Sequence, residues 1–300
     1  TLGISRDSAY RRIRGETLLS LDEVKIIHQQ FGVSVDTLLT TSPSEVSFRM
    51  HTLDSKNFSF DKYLNFLLEN LEKISGYPEK EIIWYAKDLP IWHYFRFPAL
   101  ASFKFYFWDK TFVKGSKLRA EKYRQEVITK DLLALAGRVW SKYAAIPSTE
   151  ILGNENLDST LNQIAFAYEC GVFNSKKDAM DLCDECCQLM EQIKSEAEEG
   201  LKKGIDMCDP GERFALYHNE VLIGDNSVLF KIADRRMAFI TANQFSILTT
   251  TQESFCRLTE DYINNMINKS TLISTTAEKE RTKFFNAMLD KIALTRLKIR

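Results

Sequence analysis

Apolar residues recur at helical spacing along most of the chain up to residue 203. Leu21, Val24, Ile27 and Phe31 repeat at intervals of three and four, as one face of a helix requires. Tyr63, Phe66, Leu67, Leu71 and Ile74 form a second stripe, opened by a capping Ser59 and closed by Gly76-Tyr77-Pro78. Further helical patterns cover about 97–112, 117–144, 157–171 and 176–203, with breaks at Pro147 and Gly153-Asn154. Beyond Cys208-Asp209-Pro210-Gly211 the period changes to two. Phe214 to Ile223, Val228 to Ala233, Met237 to Ala242 and Phe245 to Thr249 read as strands, with turns at Gly224-Asp225-Asn226 and Asp234-Arg235. A helix over about 252–268, an apolar run Thr271-Leu272-Ile273 and a last helix from Ala277 complete the pattern.

These elements predict a mainly α chain with an α+β C-terminal part, in which an antiparallel meander sheet is packed by two helices. The polar run Thr40 to Glu45 reads as a linker, followed by the strand-like alternation Val46, Phe48, Met50. The expected division is a helical module over 1–44, a helical, aromatic-rich domain over 45–205 and an α+β domain over 206–300.

Forty basic and forty-one acidic residues give a net charge of -1, so any nucleic-acid surface must be local. It is local at the start of the chain. Residues 1–14 carry Arg6, Arg11, Arg12 and Arg14 against Asp7 alone. Gly3 suits a tight turn, Ser5 caps the helix Arg6 to Arg14, and Gly15 ends it. Ala9 and Ile13, four apart, are expected on its inner face. Ser20-Leu21-Asp22-Glu23 is a capping box, and a turn at Gly32 with a cap at Ser34 leads into Val35-Asp36-Thr37-Leu38-Leu39.

The segments Leu2 to Glu16 and Leu19 to Leu39 together resemble the latter part of an XRE-type (Cro/repressor-like) helix-turn-helix domain. The resemblance covers roughly residues 1–40. It begins inside the motif, so a natural start further upstream is expected. It implies that the helix after the turn lies in the major groove, with Arg6, Asp7 and Arg11 facing bases and Ser5, Tyr10 and Arg14 nearer phosphates. Ala9 stands where the family usually carries a β-branched residue. The implied protein is a cytoplasmic transcriptional regulator that binds double-stranded DNA as a homodimer. The remaining residues would dimerise, sense a small-molecule effector, or both.

Two hydroxyl-rich loops precede helix starts, Thr249-Thr250-Thr251-Gln252-Glu253 and Ser274-Thr275-Thr276-Ala277-Glu278. Free N–H groups there can hold an anion, with Thr250, Thr251, Ser274, Thr275, Arg235 and Arg236 as candidates. The competing reading is N-capping, with Thr275 and Glu278 forming a capping box.

Twelve aromatic residues lie between Trp84 and Phe112, with only Arg96 and Lys104 interleaved among the most crowded of them. They suit core or dimer packing, an apolar ligand pocket or base stacking. Cys183 and Cys186 fall on the apolar stripe of a helix, where buried thiols belong; redox sensing and metal binding are the alternatives, and no fourth zinc ligand is evident. Phe284, Phe285, Met288, Leu289 and Ile292 share one face of the last helix, whose basic residues leave packing on its own sheet, a partner helix or an anionic membrane surface open.

No secretory leader is evident, the apolar stretch Ile91 to Trp108 carries His93, Arg96, Pro98 and Lys104, and no membrane association is expected. Phosphate loops, nucleophile elbows and His-Glu metal motifs are missing, and the four histidines are scattered, so no enzyme activity, metal or cofactor is expected. The alternatives are an enzyme targeted to DNA, such as a nuclease or nucleotide-processing domain, and a non-catalytic interaction scaffold.

Overall fold

The computed structural model describes residues 2–31, 45–52, 59–113, 115–204, 211–221, 227–243 and 245–299, which fall into two compact units, Thr1–Arg49 and Met50–Arg300. In the first unit, α1 (Arg6–Ile13) starts at Ser5, whose hydroxyl accepts from the Ser8 N–H, and ends before Gly15, at φ 74°. Helix α2 (Leu21–Phe31) opens with the reciprocal capping box: Ser20 N–H donates to Glu23 at 2.9 Å and Glu23 N–H to the Ser20 hydroxyl at 3.3 Å.

The inward face of α1 differs from expectation. Ile13 is 78% exposed, while Arg12 turns inward, donates to the Ser8 carbonyl and pairs with Glu23 of α2 at 2.9 Å. An ion pair on a long aliphatic stem thus joins the two helices where an apolar contact was expected. The expected turn at Gly32, the cap at Ser34 and the Val35 to Leu39 run lie outside the described residues.

The second unit is an α+β fold, and the expectation of a mainly α chain with a small C-terminal meander is corrected. A nine-stranded mixed sheet forms its centre, in the order β1-β8-β7-β6-β2-β3-β5-β4 with β9 on β5. The strands are β1 (Arg49–Thr52), β2 (Lys80–Tyr85), β3 (Ser148–Leu152), β4 (Leu201–Lys202), β5 (Glu212–His218), β6 (Ser227–Ile232), β7 (Arg235–Asn243), β8 (Ser246–Thr250) and β9 (Thr271–Leu272). β2, β3 and β5 run parallel, and the β6-β7-β8 meander joins them through the antiparallel pair β2-β6. The expected boundary at 205/206 therefore runs through one sheet.

Parallel strands covered on both faces lose the alternation that marks half-buried ones. In β2, Ile82 packs with helices on one face while Ile83 and Tyr85 pack on the other. All five residues of β3 are buried, three of them polar. Neither strand carries the period of two.

Helices α3 (Phe60–Ser75), α4 (Ile91–Tyr94), α5 (Pro98–Phe112) and α6 (Lys130–Ala144) build one core with Ile82, Phe230 and Phe239. α7 (Asp158–Glu169), α8 (Lys176–Glu199) and α10 (Glu278–Lys298) build a second with Leu152, Phe214 and Leu216. α9 (Glu253–Ile267) covers the opposite face at Ile83, Tyr85, Ile151 and Leu229. The helix expected over 117–144 is two short 3-10 turns followed by α6, capped by Thr129. Phe284, Phe285, Met288 and Ile292 of α10 are buried against α7 and α8. Among the described residues no helix is long and apolar enough to cross a membrane.

Candidate functional site

In the first unit, Ser5, Arg6, Asp7, Tyr10, Arg11 and Arg14 are all exposed, and α1 buries none of its residues. Arg6 lies over the Tyr10 ring at 5.7 Å, and Arg14 is held by Glu16 through two hydrogen bonds of 2.6 and 3.1 Å. Arg6 and Arg11 are separated by about 140° around the helix axis, and the exposed surface of α1 also includes Tyr10 and Ile13.

The candidate anion loops of the second unit do not assemble into one site. Thr250 is buried and its hydroxyl accepts from the Gln252 N–H at 3.2 Å, while Thr251 is exposed. Arg236 is already committed to carboxylates: it hydrogen-bonds Glu260 and lies 3.6 Å from Glu253. Arg235 is exposed at the start of β7. Ser274 serves β5, accepting from the Leu216 N–H at 3.1 Å, and the Thr275 N–H donates to the Ala197 carbonyl at 2.8 Å. The expected Thr275–Glu278 capping box is absent, because Ala277 is the N-cap, at φ 52°, and no side chain caps α10.

The structure instead opens a cavity of about 360 Å³ at the carboxyl end of β2, where ligand sites of α/β sheets are usually found. Trp84, Ala86, Asp88 and Leu89 approach from β2 and the turn after it, Ile91 and Tyr94 from α4, and Lys104 and Trp108 from α5. The first turns of α7 add Ser159, Thr160 and Gln163, and the end of β7 adds Thr241 to Asn243.

Lys104 is the charged side chain at its interior. Its ammonium donates to the Thr160 hydroxyl at 2.7 Å and the Gln163 carbonyl oxygen at 2.9 Å, and lies 4.7 Å from the centre of the Tyr94 ring. Burial pushes this group down to about 8, only partly offset by the charge of Asp88. Asp88 is an exposed residue at the rim, yet burial still raises its carboxyl, with Lys104 pulling the other way. The indole N–H of buried Trp108 has no hydrogen-bond partner among the described residues.

A second polar cluster is sealed. His93 Nε2 lies 2.9 Å from both oxygens of Glu150, and the Tyr143 hydroxyl donates to the same carboxylate. Arg96 Nη2 lies 3.3 Å from His93 Nδ1; a guanidinium can only donate, so Nδ1 accepts and Nε2–H faces Glu150. Arg96 also pairs with Glu196 at 2.7 Å and lies 4.3 Å from the centre of the Trp140 ring. Lys202 donates to the Ile146 carbonyl at 2.7 Å and the Ser148 hydroxyl at 2.8 Å. Burial works to raise the Glu150 carboxyl, but His93, Tyr143 and Lys202 outweigh it and hold the group below the ordinary carboxylate range. Burial pushes Lys202 down while Glu150 and Glu196 oppose it. His93, Tyr143, Glu150 and Lys202 are each 0% exposed, and none of them lines the cavity around Lys104.

The sequence carried a signal for one of the two sites. Lys104 interrupts the run Leu100 to Phe107 of a helix that is apolar nearly all round, and such a lysine must find polar partners. The His93–Glu150 pair joins positions 57 apart, and only the sheet brings them together. Cys183 and Cys186 are core residues, and the described residues include no cluster of His, Cys, Asp or Glu able to hold a metal. No protein-family model matches the chain, and no curated protein is significantly similar to it in sequence.

Proposed function

We propose that the chain is a sequence-specific DNA-binding transcriptional regulator of the cytoplasm, acting as a homodimer, with α1 in the major groove and a small-molecule effector in the cavity at the end of β2. One observation carries the reading: Ser5, Arg6, Asp7, Tyr10, Arg11 and Arg14 are all exposed on a capped helix, while the inward Arg12 is tied to Glu23. Arginines with free guanidinium forks make bidentate contacts to guanine, and an aspartate accepts from cytosine.

Selection from a randomised duplex library with the full chain, followed by fluorescence anisotropy on the enriched sequence, tests this. Arg6→Ala and Arg11→Ala are each expected to weaken binding about tenfold or more, the cost of about 1–3 kcal/mol for a lost base contact. Unchanged affinity in both variants removes α1 from the interface.

A further inference from the structure

We propose that the cavity around Lys104 binds the carboxylate of a small aromatic acid; the assignment rests on the regulator reading for its purpose, the bound acid being the effector. The ammonium of Lys104 has three N–H groups, and two are used by the neutral partners Thr160 and Gln163. Among the described residues no carboxylate lies within ion-pair distance of it. A buried cation with neutral partners alone is costly to keep, and an anion entering the cavity removes that cost.

The Trp108 side chain contributes a second wall from the same helix, one turn beyond Lys104. Trp108 is buried, and its ring is part of the cavity wall. α7 begins at this cavity with Leu157 as N-cap and no side-chain cap, so the positive end of its dipole adds to the field.

The charge count decides what kind of anion. Among the described residues one lysine and no arginine lines the cavity, and Asp88 at the rim repels a second negative charge, which favours a monocarboxylate over a phosphate dianion. Of the remaining walls, Trp84, Tyr94, Leu89 and Ile91 offer faces for a flat ring, while Ser159, Thr241 and Asn243 offer hydrogen-bonding groups at its edge. A cavity of about 360 Å³ has room for one or two fused rings and a short acid arm.

Isothermal titration calorimetry of the full chain with benzoate and indole-3-acetate, against benzamide, indole-3-acetamide and inorganic phosphate, tests the assignment. At least one acid is expected to bind saturably and at least tenfold more tightly than its amide, with phosphate weaker than either acid. Lys104→Met, shown to be folded by circular dichroism, should abolish the preference for acid over amide. The Trp108 indole N–H resonance of the unaltered protein should shift on adding the acid, a readout independent of any variant's folding. Three results overturn the site: no saturable binding of either acid, equal binding of acid and amide, or a folded Lys104→Met protein with the preference intact. The two readings fail separately. Acid binding to a chain that selects no DNA retains the site and removes the regulator, while DNA selection without acid binding does the reverse.

Discussion

Lys104 and Lys202 are both buried lysines in one unit, and they differ in what surrounds them. Lys202 sits in a closed cluster with Glu150, a main-chain carbonyl and a hydroxyl, stacked 4.3 Å from the centre of the Tyr143 ring. Lys104 also hydrogen-bonds neutral groups, with Asp88 acting on it from the rim, but it borders open space where Lys202 is sealed in. A buried charge that is matched within the protein fixes the fold around it, whereas one left without a counter-ion beside a cavity is available to something that arrives. The sheet and its helices build both arrangements, the sealed one around Glu150 of β3 and the open one beyond the end of β2.

Breaking the sealed side should cost most. Glu150→Gln removes the carboxylate that faces His93, Tyr143 and Lys202, and a loss of about 3–5 kcal/mol is expected in urea unfolding. Lys202→Met should cost about 2 kcal/mol, since it leaves the Ile146 carbonyl without its donor and removes one of the charges that favour the Glu150 carboxylate. Lys104→Met is the contrasting experiment. It leaves no carboxylate unpaired, so a change of no more than about 1 kcal/mol is expected, and equal costs for the two lysines would erase the distinction between the sites.

The last effect is a slope with pH. Burial lowers Lys104 to about 8 from its ordinary 10.5, so between these values the folded protein has released a proton that the unfolded chain still holds. The unfolded state then binds more protons, and stability rises with pH across that window. The stability of the unaltered protein relative to Lys104→Met should therefore increase from pH 8 to 10, by on the order of 1 kcal/mol per pH unit at most. A flat difference would mean that the ammonium is as well solvated as a surface lysine.

Elements with one covered face were legible in the sequence. The alternation of Phe214, Leu216 and His218 marked β5, and the expected helices near 252–268 and from 277 are α9 and α10 within a residue or two. β2 and β3 were not legible, because the first is apolar on both sides and the second buries Ser148, Thr149 and Glu150, residues that read as loop. Arg12 was hidden for a related reason: nothing in the spacing Ala9, Ile13 announces that a charged stem packs inward beside them. The cavity was half visible. Lys104 stood out among the aromatic residues, but Thr160 and Gln163, which define its surroundings, lie on another helix about sixty positions away.

The place of β2 in the sheet also sets a schedule for synthesis. One of its two edges pairs with β3, but the other must wait for β6, whose residues follow more than a hundred positions later. At translation rates of about 5–20 residues per second, that wait is on the order of ten seconds. Until it ends, the nascent chain presents an unpaired strand edge flanked by Ile82 and Trp84, the kind of template on which neighbouring chains pair. Ribosome-bound chains lacking β6 should be the aggregation-prone species, and their yield should depend on chaperones more than that of the completed protein does.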